Sequence, residues 1–180
     1  MKKTILLAVI TIFTFSNLFS QEAAESSGLQ GAWWGMGTFQ YSDDETTSSY
    51  TILPIVGNFI APTVTVGLGA GYKSTEVDGF DSVGTFVVMP LVRKYWSVSD
   101  KLYLFGQADV PLTFSDDTNG YGFNVRPGID YFIGGKFTIE ATFGQFGYNS
   151  VKNDITDEST GTTSLGFDMT SIQFGLKYLF

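Results

Sequence analysis

The sequence predicts an all-β chain: a closed, eight-stranded, antiparallel up-and-down transmembrane β-barrel that follows an N-terminal signal peptide. Three observations carry that expectation. Apolar and polar residues alternate with period two through most of the chain, and no useful window shows the i, i+3, i+4, i+7 spacing of a helix. A proline-centred motif recurs at hairpin intervals. Connections alternate between tight turns and longer acidic stretches.

Residues 1–20 form a separate object. MKKT is basic, ILLAVITIFTF is apolar but too short to span a bilayer, and SNLFS is a polar, small-residue end. This is the pattern of a secretory leader cut near Ser20–Gln21. No cysteine follows the apolar run, so a lipoprotein is not expected. Losing Lys2 and Lys3 takes the formal charge from −8 to −10. Residues 21–30 read as a polar linker, and residues 31–180 as the barrel.

Eight strands are expected, at 31–42, 49–60, 63–74, 83–96, 100–113, 121–133, 136–149 and 166–180. In the third, Val64, Val66, Leu68, Ala70 and Tyr72 share one face, with Thr63, Thr65, Gly67, Gly69 and Gly71 opposite. The fifth sets Leu102, Leu104, Ala108, Val110 and Leu112 against Gln107 and Asp109. In the seventh, Phe137, Ile139, Ala141 and Phe143 oppose Thr138, Glu140 and Thr142.

Pro54, Pro90 and Pro127 lie 36 and 37 residues apart, each followed by a bulky pair: Phe59-Ile60, Tyr95-Trp96 and Phe132-Ile133. The same frame puts Phe174 at the proline position of the last strand and Leu179-Phe180 at its end. Val56, Val92, Ile129 and Leu176 then share a face, as do Ile60, Trp96, Ile133 and Phe180 one rung lower. A proline in a paired strand removes a ladder donor, so local bulges are expected at all three. Short turns fall at 61–63, 97–100 and 134–135. The opposite connections, around DDETTS, STEVDGFDS, SDDTNG and VKNDITDESTGTTSLG, read as long loops.

A soluble barrel alternates too, so the content of each face matters. The polar face carries mid-strand only Arg93, Asp109, Arg126, Asp130, Glu140 and Lys177, whereas a soluble surface is about 25–35% charged. The apolar face ends in Trp96, Tyr131, Tyr178 and Phe180 near one rim and Tyr41, Tyr72 and Tyr121 near the other, like two interfacial girdles. Lipid offers no hydrogen bonds to an open edge, so the last strand must pair with the first, around Trp33 to Tyr41.

The segments SYTILPIVGNFIAPTVTVGLGAGY, VVMPLVRKYW, VRPGIDYFI and the terminal FGLKYLF resemble the outer-membrane β-barrel domain family, which includes small OmpA/OmpX-type eight-stranded barrels. The resemblance covers residues 31–180 and concerns architecture. It implies that Phe174, Leu176, Tyr178 and Phe180 form the C-terminal signal read by the outer-membrane assembly machinery. Nothing follows Phe180, so the peptidoglycan-binding domain of larger relatives is not expected.

The chain has no cysteine and no histidine, which excludes disulfides, Ser-His and Cys-His pairs, and thiolate or imidazole metal sites. Its acidity argues against a nucleic-acid partner. An eight-stranded barrel is just wide enough for side chains to fill. Arg93, Arg126 and Lys177 are therefore expected to pair with Asp109, Asp130 and Glu140 as a lumen charge network. No nucleophile–base pair accompanies those carboxylates, so catalysis is not expected, and Ser48 and Ser49 read as turn residues. The acidic clusters Asp43-Asp44-Glu45, Asp116-Asp117, and Asp154 with Asp157-Glu158 read as solvated loop charge facing lipopolysaccharide, with a dedicated calcium site as the alternative; DDTNGYG lacks the EF-hand spacing and reads as a turn.

The expected protein is a monomer in the outer membrane of a Gram-negative-type cell, with both termini periplasmic. It has neither cofactor nor metal, and its partners are the bilayer, lipopolysaccharide and the assembly machinery. A plugged lumen with a structural or adhesion-like surface role through the acidic loops is the expected function. A small porin or ion channel is the alternative, and an outer-membrane lipid-modifying enzyme a more distant one.

Overall fold

Period-two alternation becomes a continuous antiparallel ladder in the computed structural model, which describes residues 28–44, 46–166 and 173–180. The leader, most of the linker, Glu45, the side-chain positions of 40–44, 164 and 166, and the stretch 167–172 lie outside the described residues. The strands are β1 (Trp33–Asp44), β2 (Thr47–Ala61), β3 (Val64–Val77), β4 (Val83–Ser97), β5 (Leu102–Asp109) and β6 (Leu112–Phe114). They continue with β7 (Thr118–Gly134), β8 (Phe137–Thr142), β9 (Gln145–Asn153), β10 (Ser159–Gly166) and β11 (Gln173–Leu179). Among the described residues there is no helix. β5 with β6, β8 with β9, and β10 with β11 each make one stave, giving a closed eight-stranded antiparallel barrel.

β1 closes the barrel by pairing with β11, from Trp34↔Leu179 to Thr38↔Gly175. From Thr38, the rung to Leu53, the unshifted β2–β3 register that sets Leu53 level with Gly71, and the rung from Gly71 lead to Val87 on β4; the opposite way round, through Gly175, Glu140, Asp130 and Tyr103, the rungs lead to Ser97. The two paths end ten residues apart on one strand. That stagger tilts the strands by about 40° and leaves an interior that side chains can fill.

The expected long loops are mostly ladder. β1 and β2 stay paired out to Asp44↔Thr47, β7 begins at Thr118, and β9 runs to Asn153. The remaining turns are short and tied in pairs: Asp78 N donates to Thr46 O at 2.9 Å and Asp154 N to Asp117 O at 2.9 Å. Ser48 and Ser49 are therefore strand residues, opposite Asp43 and Ser42, and not the turn residues their type suggests. In DDTNGYG only Asp116 and Asp117 belong to the turn. Polar, β-tolerant residues such as Thr and Ser extend a hairpin into water as readily as they loop.

Proline behaves differently from expectation at two of its three positions. At Pro54 the β2–β3 rungs skip from Ile52↔Tyr72 to Ile55↔Gly69 with the register unchanged. At Pro90 they skip from Val88↔Leu112 to Leu91↔Asp109, again unshifted, and the Pro90 carbonyl still accepts from Val110 N at 3.0 Å. A missing donor leaves a gap, not an extra residue. Only beside Pro127 does the register move by one, between Gly128↔Thr142 and Val125↔Phe146. Gly144 absorbs the extra residue with φ 74°, a conformation that other residues rarely adopt. Further irregularities at Phe59/Ala61 and Phe132/Gly134 sit by the tight turns.

The two faces separate as predicted. Thr65, Arg93, Gln107, Asp109, Asp130 and Glu140 are buried inside, while Val66, Leu68, Val92, Leu104, Ile129 and Leu176 are exposed outside. A second, apolar population shares the interior: Trp34, Met36, Ile55, Phe59, Met89, Leu91, Tyr95, Phe105 and Leu179 form one cluster, with Leu29 of the expected linker packed against it.

Candidate functional site

The glycines on the inner face create the space that the interior groups occupy. A Cβ on Gly57 would overlap the Trp34 ring, and one on Gly128 the Phe105 ring. With those rings seated, Trp34 Nε1 donates to Thr65 Oγ1 at 2.6 Å. The Arg93 guanidinium lies between them, 4.9 Å from the Trp34 centroid and 4.8 Å from that of Phe105. Such stacking suits the planar, weakly hydrated guanidinium.

From Arg93 the polar groups run in a chain. Its Nε donates to Gln107 Oε1 at 2.7 Å and its NH1 to Glu140 Oε2 at 2.8 Å. Gln107 Nε2 donates onward to Asp109 Oδ2 at 2.7 Å. Asp109 Oδ1 also accepts from Asn124 Nδ2 at 3.2 Å and lies 3.4 Å from Arg126 NH2. Asn124 in turn accepts from Gln145 at 2.7 Å and Asn149 at 3.2 Å. On the other side, Lys177 Nζ donates to Asp130 Oδ2 and to Tyr95 OH (3.3 Å), and lies 3.7 Å from Glu140 Oε2. Glu140 thus sits between two cations.

All six predicted lumen residues therefore meet in one cluster. Five are almost fully buried, and the Arg126 side chain keeps 16% exposure. Three positive and three negative charges cancel, as burial in a narrow interior requires. The sequence reading did not single out Gln107, Asn124, Tyr95, Trp34 and Thr65 as members. Their signal was positional, since each occupies an inward position of a strand whose pattern was already legible. Among the described residues three buried side-chain polar atoms keep no partner: Arg126 Nε, Asp130 Oδ1 and Thr138 Oγ1.

The belt formed by Arg93, Glu140, Lys177, Asp130 and Tyr95 separates the cavities. Below it, towards the tight turns, a cavity of about 30 Å³ is lined by residues including Phe59, Tyr95, Asp130, Lys177 and Leu29. Above it one cavity of about 30 Å³ touches Arg93, Glu140 and Met36. A wider one of about 350 Å³ opens towards the loops over Arg126. Each small cavity has room for about two waters. Among the described residues no group of three or more His, Cys, Asp or Glu could hold a metal.

The predicted assembly residues lie together on the last strand. Phe174 and Leu176 are exposed, and Tyr178 and Phe180 are half-buried. The Tyr178 ring packs 4.8 Å from that of Phe137 and 6.0 Å from that of Phe180. Phe180 N donates to Trp33 O at 2.9 Å, and Trp33 N to Phe180 O at 3.3 Å.

No family model matches the chain, and no curated protein is similar enough to count as a match. The class is thus set by form alone: a closed eight-stranded barrel with a charged, side-chain-filled interior.

Proposed function

We propose that the protein is an integral membrane barrel of the outer-membrane kind, sealed by its interior charge network, with a structural or surface-interaction role. One observation carries the reading: charge is inside and large apolar side chains are outside. Between Phe86 and Trp96 the outward positions of β4 are Val88, Pro90, Val92 and Lys94, and Lys94 Nζ reaches Thr63 Oγ1 at 2.5 Å beside the tight turn. Ten residue steps tilted by about 40° span about 25 Å, the height of the apolar band of a barrel in lipid. Trp33, Trp96, Tyr131 and Phe137 are exposed near one end of that band, and Tyr50, Tyr72, Phe86, Tyr121 and Tyr148 near the other. So much contiguous apolar surface on a protein in water is an association site or a liability. Lipid removes the difficulty.

The role follows from the belt. The bonds of Arg93 to Glu140 and of Lys177 to Asp130 across the lumen support a sealed interior over a solute path, and among the described residues the lumen carboxylates pair with cations and amides. The surfaces left to act are the acidic hairpins. The bilayer, lipopolysaccharide and, through Phe174 to Phe180, the assembly machinery are the partners this reading requires.

Tryptophan fluorescence in vesicles of brominated lipid tests the orientation. Trp33 and Trp96 should be quenched, whereas a variant retaining only Trp34 should not. Equal quenching of Trp34 would overturn the assignment of faces. Planar-bilayer recording tests the seal, since well-resolved conductance steps would make the protein a channel instead. A chain of identical gel mobility boiled and unboiled would not be a closed membrane barrel at all.

A further inference from the structure

The cavity above the belt is built differently from the rest of the interior. It measures about 350 Å³, within the range of small-molecule sites, and Thr38, Thr51, Leu53, Val87, Met89 and Arg126 contribute to its wall. Phe39 and Phe174 border it where the β1–β11 rungs end at Thr38↔Gly175 among the described residues. Its wall is thus mixed: Leu53, Val87 and Met89 give it an apolar side, Thr38, Thr51 and Gln173 a polar one, and Arg126 its one charge.

That charge is under-bonded. Arg126 Nε has no acceptor, and its NH2 meets Asp109 only at 3.4 Å. Asp109 is already engaged by Gln107 at 2.7 Å and Asn124 at 3.2 Å. Arg93 and Lys177, by contrast, hold close carboxylate partners. A guanidinium has five donors in a fork; Nε is buried, so the unused capacity that Arg126 turns to the cavity lies on its terminal N–H groups, within a side chain that keeps 16% exposure. Lys73, opposite Thr51 on the inner face of the ladder, adds a second cation near the mouth, and it makes no ion pair among the described residues.

We propose that this cavity binds a small organic monoanion, a carboxylate with an aliphatic tail, its head on the Arg126 guanidinium and its tail against Leu53, Val87 and Met89. Charge and shape select that class. A carboxylate matches the guanidinium fork. A second negative charge would meet Asp109 immediately behind Arg126. An uncharged tail matches the apolar side formed by Leu53, Val87 and Met89. The site lies above the belt, so it goes beyond the sealed-barrel reading and requires only the closed barrel.

Titration calorimetry of octanoate into protein held in amphipol tests it, with octanol as the uncharged control. Saturable octanoate binding should weaken about tenfold or more in Arg126→Gln, which loses the charge-assisted contact. Val87→Trp, which fills the cavity without touching the guanidinium, should weaken it as much. Octanol should bind far less tightly. Octanol binding as tightly as octanoate, Arg126→Gln binding like the parent, or no saturable binding to the parent would each overturn the proposal. The heat-shifted gel band, read on every sample, reports separately whether the barrel is closed. Arg126→Gln keeps the test decisive if Val87→Trp fails to fold.

Discussion

The two halves of the barrel interior solve one problem in opposite ways. Towards the tight turns, Trp34, Phe59, Tyr95, Phe105 and Leu179 pack ring against ring, with Phe59–Tyr95 and Tyr95–Phe105 centroids each 5.6 Å apart. Every cation there is bonded to a carboxylate. Towards the loops the wall is thinner in side chains, a cavity opens, and Arg126 keeps a donor without an acceptor. The closed half shows what a narrow lumen must do to hold charge. The open half shows where that requirement has been relaxed, and relaxation at a charged group is where a ligand fits.

Substitutions can break the contrast. The largest effect is expected at Glu140, which serves both Arg93 and Lys177. Glu140→Ala leaves the buried Arg93 without its carboxylate, takes the second, longer one from Lys177, and should cost about 3–5 kcal/mol, read as urea-induced loss of the compact unheated gel band. A cost near zero would mean that the belt does not hold the barrel shut. Next comes a matched pair. Phe105→Ala in the closed half should cost about 3–5 kcal/mol, while Val87→Ala, whose methyls already border open space, should cost under about 1 kcal/mol. Equal costs would erase the distinction between the halves. Deleting Phe180 removes one closing backbone pair with Trp33 and should slow assembly into membranes while leaving the assembled interior unchanged. Insertion as efficient as that of the full chain would remove the assembly-signal reading. Smallest of all is Arg126→Gln, expected to change stability by under about 1 kcal/mol, because Asp109 keeps its two amide donors.

Much of this was legible before any coordinate. Period two reports strands, and charge in a period-two frame reports which residues meet inside, so Arg93, Asp109, Arg126, Asp130, Glu140 and Lys177 could be named together. Partners could not be named. Whether Arg93 faces Glu140 or Asp130 depends on the ten-residue stagger, which is a property of closure and of no single strand. The interior apolar cluster was hidden for a related reason: Trp34 and Phe105 find room inside because their rung partners on the neighbouring strands, Gly57 and Gly128, carry no side chain. The hairpin extensions were misjudged because Thr, Ser and Asp serve turns and exposed rungs alike. The prolines misled because a lost donor was equated with an inserted residue.

The pairing of Trp33 with Phe180 has a consequence in time. Each hairpin can form from neighbouring chain as soon as it is synthesised. The wall itself can be completed only when its first and last rungs meet, a closure costing about 4 kcal/mol in chain entropy. Until then both edges lie bare, able to recruit any strand at hand. A ring has no half-finished state without bare edges, so every stage before the final rung carries that risk.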